Sequence, residues 1–373
     1  MNWIRKILII IVILLSSFIL WKLLAKRVVL QKKLETESFT LFGSASTREI
    51  NNLKITGGVN IKNCTHIGLP LKEYCIKAAY NSAVTGYYVN LDMIKYVLSR
   101  GCRFLDFEIF YVGTKTYDIN GSPKITYKPR VAYSTDKTFT TIDTENSLLL
   151  DDVLTTVVTN AFSSPCPNLR DPLFINLRIK SNNKDVYKAV ATSIHNILTP
   201  KLYVDTTSVQ TPQPIIKVTK STLLSQIMGK AIICMDSTID SKYSDDTNKC
   251  SGAEPIDTCY NLTDFINIDT SSEDLTLQTY HDVINHERVP IKVDHILMTT
   301  NIETMKYVVP DTKYDNSLNP NISDFILKYG IQIPAFRFYK NDKKLMNYET
   351  FFNDNSSAFV PLAIASTYFE KQL

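Results

Sequence analysis

The chain has 373 residues, 44% of them hydrophobic and 21% charged, which excludes a disordered chain, a collagen and a disulfide-dense miniprotein. Glycine is scarce at 11, and neither G-x-x-x-x-G-K-[ST] nor G-x-G-x-x-G occurs, which sets aside folds built on glycine-rich phosphate loops. The net charge of +4 belongs to the N-terminus. Residues 1–33 hold seven basic residues and no acid, so the remainder carries 34 positive against 37 negative charges, and a net −3 body argues against a nucleic-acid binder.

From Ile7 to Trp21 the chain carries no charge, and continuing to Ala25 admits a single lysine, Lys22, whose stem can snorkel. At 1.5 Å per residue, Ile7–Ala25 spans roughly 28 Å, close to the hydrocarbon thickness of a bilayer. Trp3 and Trp21 bracket the run as interfacial aromatics do. A cleaved signal peptide has a shorter apolar core and a small-x-small site, whereas here Leu20-Trp21-Lys22-Leu23-Leu24-Ala25-Lys26-Arg27 follows. Residues 1–33 are therefore expected to be a single-pass N-terminal membrane anchor, with the side of the membrane left open, and residues 34–70 a stalk and lead-in.

Beyond the stalk, strands alternate with helices. Tyr74–Asn81 reads as a strand, Asn90 as the N-cap of a helix Leu91–Ser99 stopped by Gly101, and Cys102–Phe110 as a strand of period two. Pro129–Ser134 is a strand, Leu148–Ala161 a helix, Asp171–Ile179 a strand, Lys184–Leu198 a helix and Ala231–Met235 an apolar strand. Residues 237–290 are polar with weak periodicity and read as a linker. They hold Cys250 and Cys259, which pair if the segment faces an oxidising compartment. Strands return at Val293–Met298, Gly330–Phe338 and Ala358–Ala363. Eight strands with helices between several pairs predict an α/β barrel.

Several segments in this order resemble the phosphatidylinositol-specific phospholipase C family. Tyr80-Asn81-Ser82, a helix, and Gly101-Cys102-Arg103-Phe104-Leu105-Asp106-Phe107-Glu108 resemble its His-Asn-Thr-Tyr motif, helix and Gly-Cys-Arg-x-x-Glu-Leu-Asp. Val131-Ala132-Tyr133-Ser134-Thr135, Pro172–Arg178 and Gly229–Ile233 resemble its next three strands. Val309–Pro320 and Gly330–Phe336 resemble its second half. The resemblance implies a TIM-type (β/α)8 phospholipase C-like phosphodiesterase barrel behind the transmembrane helix. The X-like half covers 71–236 and the Y-like half 291–373, separated by the linker 237–290.

In the resembled family two histidines do the acid–base work on an inositol phosphodiester, and calcium held by Asn and three acids offsets charge on the phosphate. Here the histidine positions are matched by Tyr80 and Tyr133, or Ser134 if the alignment slips by one. Tyrosine, with a pKa about 10, is a poor base at neutral pH. Asn81, Asp106 and Glu108 match three metal ligands, and Arg178, a donor only, replaces the fourth. The family's phosphate-binding lysines are matched by Cys234 and Asp236, and its phosphate arginine by Tyr307 beside Lys306. Of the five histidines, His66 precedes the barrel, His195 is on an outer helix, His281 and His286 fall in the linker, and His295 is in a strand; none matches a catalytic position.

Asp106 and Glu108, at i and i+2 of one strand, share a face, and Arg178 on a strand further along is placed to neutralise them. The expectation is a membrane-anchored, catalytically degenerate phospholipase C-like protein that binds a phosphoinositide, another lipid headgroup or a protein. It needs no cofactor, and calcium only if the degenerate site still binds it. The alternatives are a working phosphoric diester hydrolase with a rearranged site and a structural membrane protein.

Overall fold

The structure, a computed structural model, describes residues 3, 45–54, 57–117, 122–209, 213–251, 258–286, 303–311 and 318–372. The apolar segment 7–25, most of the stalk and the strand expected at Val293–Met298 lie outside them. Among the described residues no helix is long and apolar enough to cross a membrane.

Twelve described strands follow in chain order: β1 Tyr74–Ile76, β2 Ala78–Ala79, β3 Phe104–Tyr117, β4 Pro123–Ala132, β5 Leu148–Leu149 and β6 Leu173–Ile179, then β7 Ala231–Met235, β8 Ile268–Asp269, β9 Leu275–Thr279, β10 Met305–Val309, β11 Ile333–Phe336 and β12 Phe359–Pro361. Eight of them lie in the order β8-β7-β6-β3-β2-β11-β10-β9, with every neighbouring pair parallel. The end strands β8 and β9 are consecutive in the chain, with a bridge from Ser271 to Thr276 between them. The result is a nearly closed α/β barrel of the TIM type.

The strand sequences explain this burial. All seven residues of β6 and all five of β7 are buried, as expected for parallel strands covered on both faces. Between strands the helices form where the 3.6-residue period runs. Asn90 caps Leu91–Ser99 by accepting from the Asp92 N–H at 2.8 Å, a contact worth about 1 kcal/mol. Gly101 then turns the chain at φ +83°, where a Cβ would lie 2.7 Å from Ile61.

Several sequence expectations are corrected. Tyr74–Asn81 is not one strand. Its first part, β1, pairs antiparallel with β12 in a separate two-stranded ribbon, and its second part, β2, enters the barrel. Between them the Lys77 side chain is fully buried and pairs with Glu349 at 2.7 Å, which Arg100 also holds at 2.5 Å. The strand expected at Ala358–Ala363 is only Phe359–Pro361, because a helix starts at Leu362, and it is therefore outside the barrel. The strand read at Pro129–Ser134 is, as far as Ala132, the end of β4, which folds back antiparallel on β3 as a hairpin. The missing barrel strands come from β8 and β9, inside residues 237–290, and from β10. Cys250 and Cys259 form a disulfide within that segment.

Candidate functional site at the barrel mouth

All eight barrel strands end on one face, and the residues singled out from the sequence meet there. Register fixes the pairing. On the neighbouring parallel strands β3 and β6, Asp106 lies opposite Asn176 and Glu108 opposite Arg178. The period-two alternation aims all four side chains inward. Asn81, just past β2, adopts φ +44°, a left-handed conformation that asparagine tolerates better than most residues. That turn directs its backbone N–H at Asp106 Oδ2, 3.0 Å away.

The Arg178 guanidinium occupies the centre. It grips Asp106 bidentately, Nε to Oδ1 at 2.8 Å and Nη2 to Oδ2 at 2.6 Å. Nη1 reaches Glu108 Oε1 at 2.9 Å, and Nη2 also donates to Asn81 Oδ1 at 2.8 Å. The guanidinium carbon lies 4.6 Å from the centre of the Tyr80 ring, a cation–π contact. Lys180 supplies the second cation. Its Nζ lies 2.8 Å from Glu108 Oε2 and donates to the Ser134 carbonyl at 2.7 Å. Asn176 Nδ2 donates to Asp106 Oδ1 at 2.9 Å, and the Ser134 N–H to Glu108 Oε2 at 3.0 Å.

Two carboxylates thus face two cations in a buried cluster. Burial by itself lowers the Arg178 pKa, but Asp106, Tyr80 and Glu108 outweigh it and hold the group well above its usual range. Lys180 is lowered by burial, with Glu108 opposing. The Tyr80 phenol is raised by burial, only partly offset by Arg178, so it stays neutral at physiological pH. A neutral, buried phenol is a poor proton acceptor.

The donor set decides whether calcium fits. Both oxygens of Asp106, both of Glu108 and the amide oxygen of Asn81 already accept hydrogen bonds or ion pairs from Arg178, Lys180, Asn176 and backbone N–H groups. A calcium ion needs six to eight oxygen ligands at 2.3–2.6 Å, and a guanidinium stands among the candidates here. The residues present do not fit calcium. Among the described residues, no group of three or more His, Cys, Asp or Glu side chains is arranged to hold a metal.

The remaining expected residues are placed as follows. Tyr133 follows β4 and is buried, and Ser134 beside it is the residue that reaches Glu108. Cys234 is buried in β7. Asp236 follows that strand, its carboxyl raised by burial, with the charge of Arg178 opposing. Tyr307 is fully buried on β10, its ring 4.6 Å from Phe104. The Lys306 ammonium donates to the Tyr329 carbonyl. His195 stacks on Tyr260 at 4.0 Å, away from the mouth, and His295 lies outside the described residues. His281 corrects its reading as a linker residue. It is the second residue of the helix Tyr280–His286 directly after β9, on the mouth side, and is exposed.

Lys180 is the site residue that the sequence reading missed. The signal was present, because 176, 178 and 180 continue the same period-two face that lies against 106 and 108.

Known proteins share features of this fold. The sequence profile of phosphatidylinositol-specific phospholipase C, X domain, matches residues 67–235. The fold is similar to the crystal structure of PLC21 from L. pealei, with 14% identity and a TM-score of 0.55 over 80% of this chain and 38% of that one. It is also similar to PLC21 from S. officinalis, with 15% identity and a TM-score of 0.55 over 84% and 39%. At such identities the likeness speaks for the fold alone, and this chain spans less than two fifths of either. A comparison with curated proteins finds no match. The barrel, the ordered strands of its first half and the profile match agree: residues 67–235 form a domain similar to the X domain of phosphatidylinositol-specific phospholipase C.

Proposed function

We propose that the protein is a membrane-anchored, catalytically degenerate phospholipase C-like protein whose barrel mouth binds a lipid headgroup or a protein rather than hydrolysing a phosphodiester. The observation that carries the reading is Arg178, held by Asp106 and Glu108 where the family's calcium ligands converge. Tyrosines at the two positions that match the catalytic histidines add to it, since general acid–base steps are worth about 10²–10⁴-fold each. The uncharged run Ile7–Trp21 with its basic flanks supports the anchor.

The test is hydrolysis of phosphatidylinositol by the full chain in mixed micelles, with calcium or with chelator. No turnover above background is expected in either. Calcium-stimulated turnover on the order of 1–10³ s⁻¹, typical of enzymes, overturns the reading and favours a working diester hydrolase with a rearranged site. Alkaline carbonate extraction of membranes tests the anchor separately. The full chain is expected in the pellet, and release into the supernatant refutes it.

A further inference from the structure

Among the described residues no cation pairs with Asp236, the acid that follows β7 at the barrel mouth. The ladder carries it there. Its N–H donates to the Leu177 carbonyl at 3.0 Å, which extends the pairing of β7 with β6 by one residue. Cys234 lies opposite Asn176, which faces inward. The period of two therefore puts Asp236 on the same inward face, one step nearer the mouth and beside Arg178. The residue is only 2% exposed. Oδ1 is taken, accepting from the Thr238 N–H at 2.9 Å and the Thr238 hydroxyl at 2.6 Å. Oδ2 accepts no hydrogen bond among the described residues. It is not sealed off in the way that the unsatisfied Asn176 Oδ1, one step deeper, is.

The neighbouring cations are engaged elsewhere. Arg178 is divided among Asp106, Glu108 and Asn81, and Lys180 holds Glu108 and the Ser134 carbonyl. Lys184, past β6, holds Asp240. Arg337 follows β11, four strands away across the barrel, and has a partner of its own. Lys137, in the loop after β4, is exposed to water. A buried carboxylate without a counter-ion is costly. Burial raises the Asp236 carboxyl against the pull of Thr238 and Arg178. The charge that completes this layer of the mouth is positive, and an anion entering it meets an acid first.

We propose that the barrel mouth takes a primary ammonium group and that Asp236 Oδ2 is the atom that receives it. A primary ammonium brings three N–H donors on a compact head. A quaternary ammonium has no N–H to give, and a phosphate brings the wrong charge. The inference rests on the reading of the mouth as a binding rather than a hydrolytic site, and it names the class of group bound. The apolar run Ile7–Ala25, of bilayer length, favours a lipid source, the ethanolamine phosphodiester of an aminophospholipid.

The test is thermal unfolding of the full chain in mild detergent with soluble headgroups at millimolar concentration. Glycerophosphoethanolamine is expected to raise Tm saturably. Glycerophosphocholine and glycerophosphoinositol share its phosphodiester and should leave Tm unchanged. Asp236→Asn keeps the acceptor for Thr238 and removes the charge. It should weaken glycerophosphoethanolamine binding by about 10- to 100-fold, the worth of a hydrogen bond to a charged group. Without ligand it should melt at or above wild type, because an unpaired acid has gone. Glycerophosphoinositol that stabilises as well as glycerophosphoethanolamine overturns the proposal, since the phosphodiester is then what binds. Unchanged binding in Asp236→Asn overturns it too, as does a variant that melts early without ligand, which makes the acid structural. Nα-acetyl-lysine amide binding tighter than glycerophosphoethanolamine assigns the site to a protein and overturns the lipid source. Hydrolysis of phosphatidylinositol by the same samples separates the two readings. Turnover fails the reading of the mouth as a binding site, whereas no turnover and no preference for the ammonium headgroup fails this inference alone.

Discussion

Arg178→Ala is the most informative single substitution. The guanidinium is 5% exposed and satisfies two carboxylates, Asp106 and Glu108, that are fully buried. Removing it leaves Glu108 with Lys180 but takes from Asp106 its only ion pair among the described residues, at 2.8 Å and 2.6 Å. Breaking one side of a buried pair typically costs about 3–5 kcal/mol. Set against a total stability of about 5–15 kcal/mol, that is a large fraction. For a domain of this size it corresponds to a fall in Tm on the order of 5–15 °C. The assay is thermal unfolding of the full chain in mild detergent, followed by far-ultraviolet circular dichroism, with calcium and with chelator. Wild type should melt alike in both. Arg178→Glu reconstitutes an acidic cluster with Asp106, Glu108 and Asn81, so it should melt early in chelator and be partly rescued by millimolar calcium. An Arg178→Ala protein that melts with wild type refutes the reasoning, because an internal counter-ion cannot be removed without cost. Stabilisation of wild type by calcium refutes it equally, because no oxygen in the cluster should be left to bind the ion.

Three further outcomes follow from the structure. Asp171, whose carboxyl is raised to about 6 chiefly by burial, is protonated more readily in the folded than in the unfolded chain. Its stabilising protonation is therefore complete below about pH 4 and lost as pH rises through 6, so wild type should lose about 2–3 kcal/mol relative to Asp171→Asn across that window; parallel pH–stability curves in urea titrations would refute it. Gly101→Ala forces a Cβ into a φ of +83° and within 2.7 Å of Ile61, and should cost about 1–3 kcal/mol, read as a lower urea midpoint at unchanged slope. Lys180→Met leaves Glu108 its pair with Arg178 at 2.9 Å, so it should cost less than Arg178→Ala, and an equal or larger loss in the same melt would mean that Lys180 rather than Arg178 carries the cluster.

Local sequence determined a good part of this protein. Capping and periodicity place Leu91–Ser99 to the residue, because Asn90 and Gly101 act on the backbone next to them. Ala231–Met235 and Asp171–Ile179, of which Leu173–Ile179 forms the strand, declare themselves as strands, since apolar runs of that length are stable only when covered on both faces. The period of two put Asp106 and Glu108 on one face, and the ordered motifs pointed to the family whose X-domain profile matches residues 67–235. Tertiary structure decided what depends on partners distant in the chain. Ile268–Asp269 is too short to show a period, and its strand exists because Met235 and Cys234 pair with it. Tyr74–Ile76 and Phe359–Pro361 read as barrel strands but satisfy their backbone groups with each other, nearly three hundred residues apart. The hairpin strand β4 has the pattern of a barrel strand, and only its antiparallel register with β3 takes it out of the barrel. The cluster at the mouth has the same origin. Sequence named Arg178 as a misfit for a cation site, but the register of β3 against β6 delivers its guanidinium, and Lys180 with it, to the carboxylates. Pairing between strands is a property of the closed barrel, where loop-closure entropy has already been met by burial of the whole core.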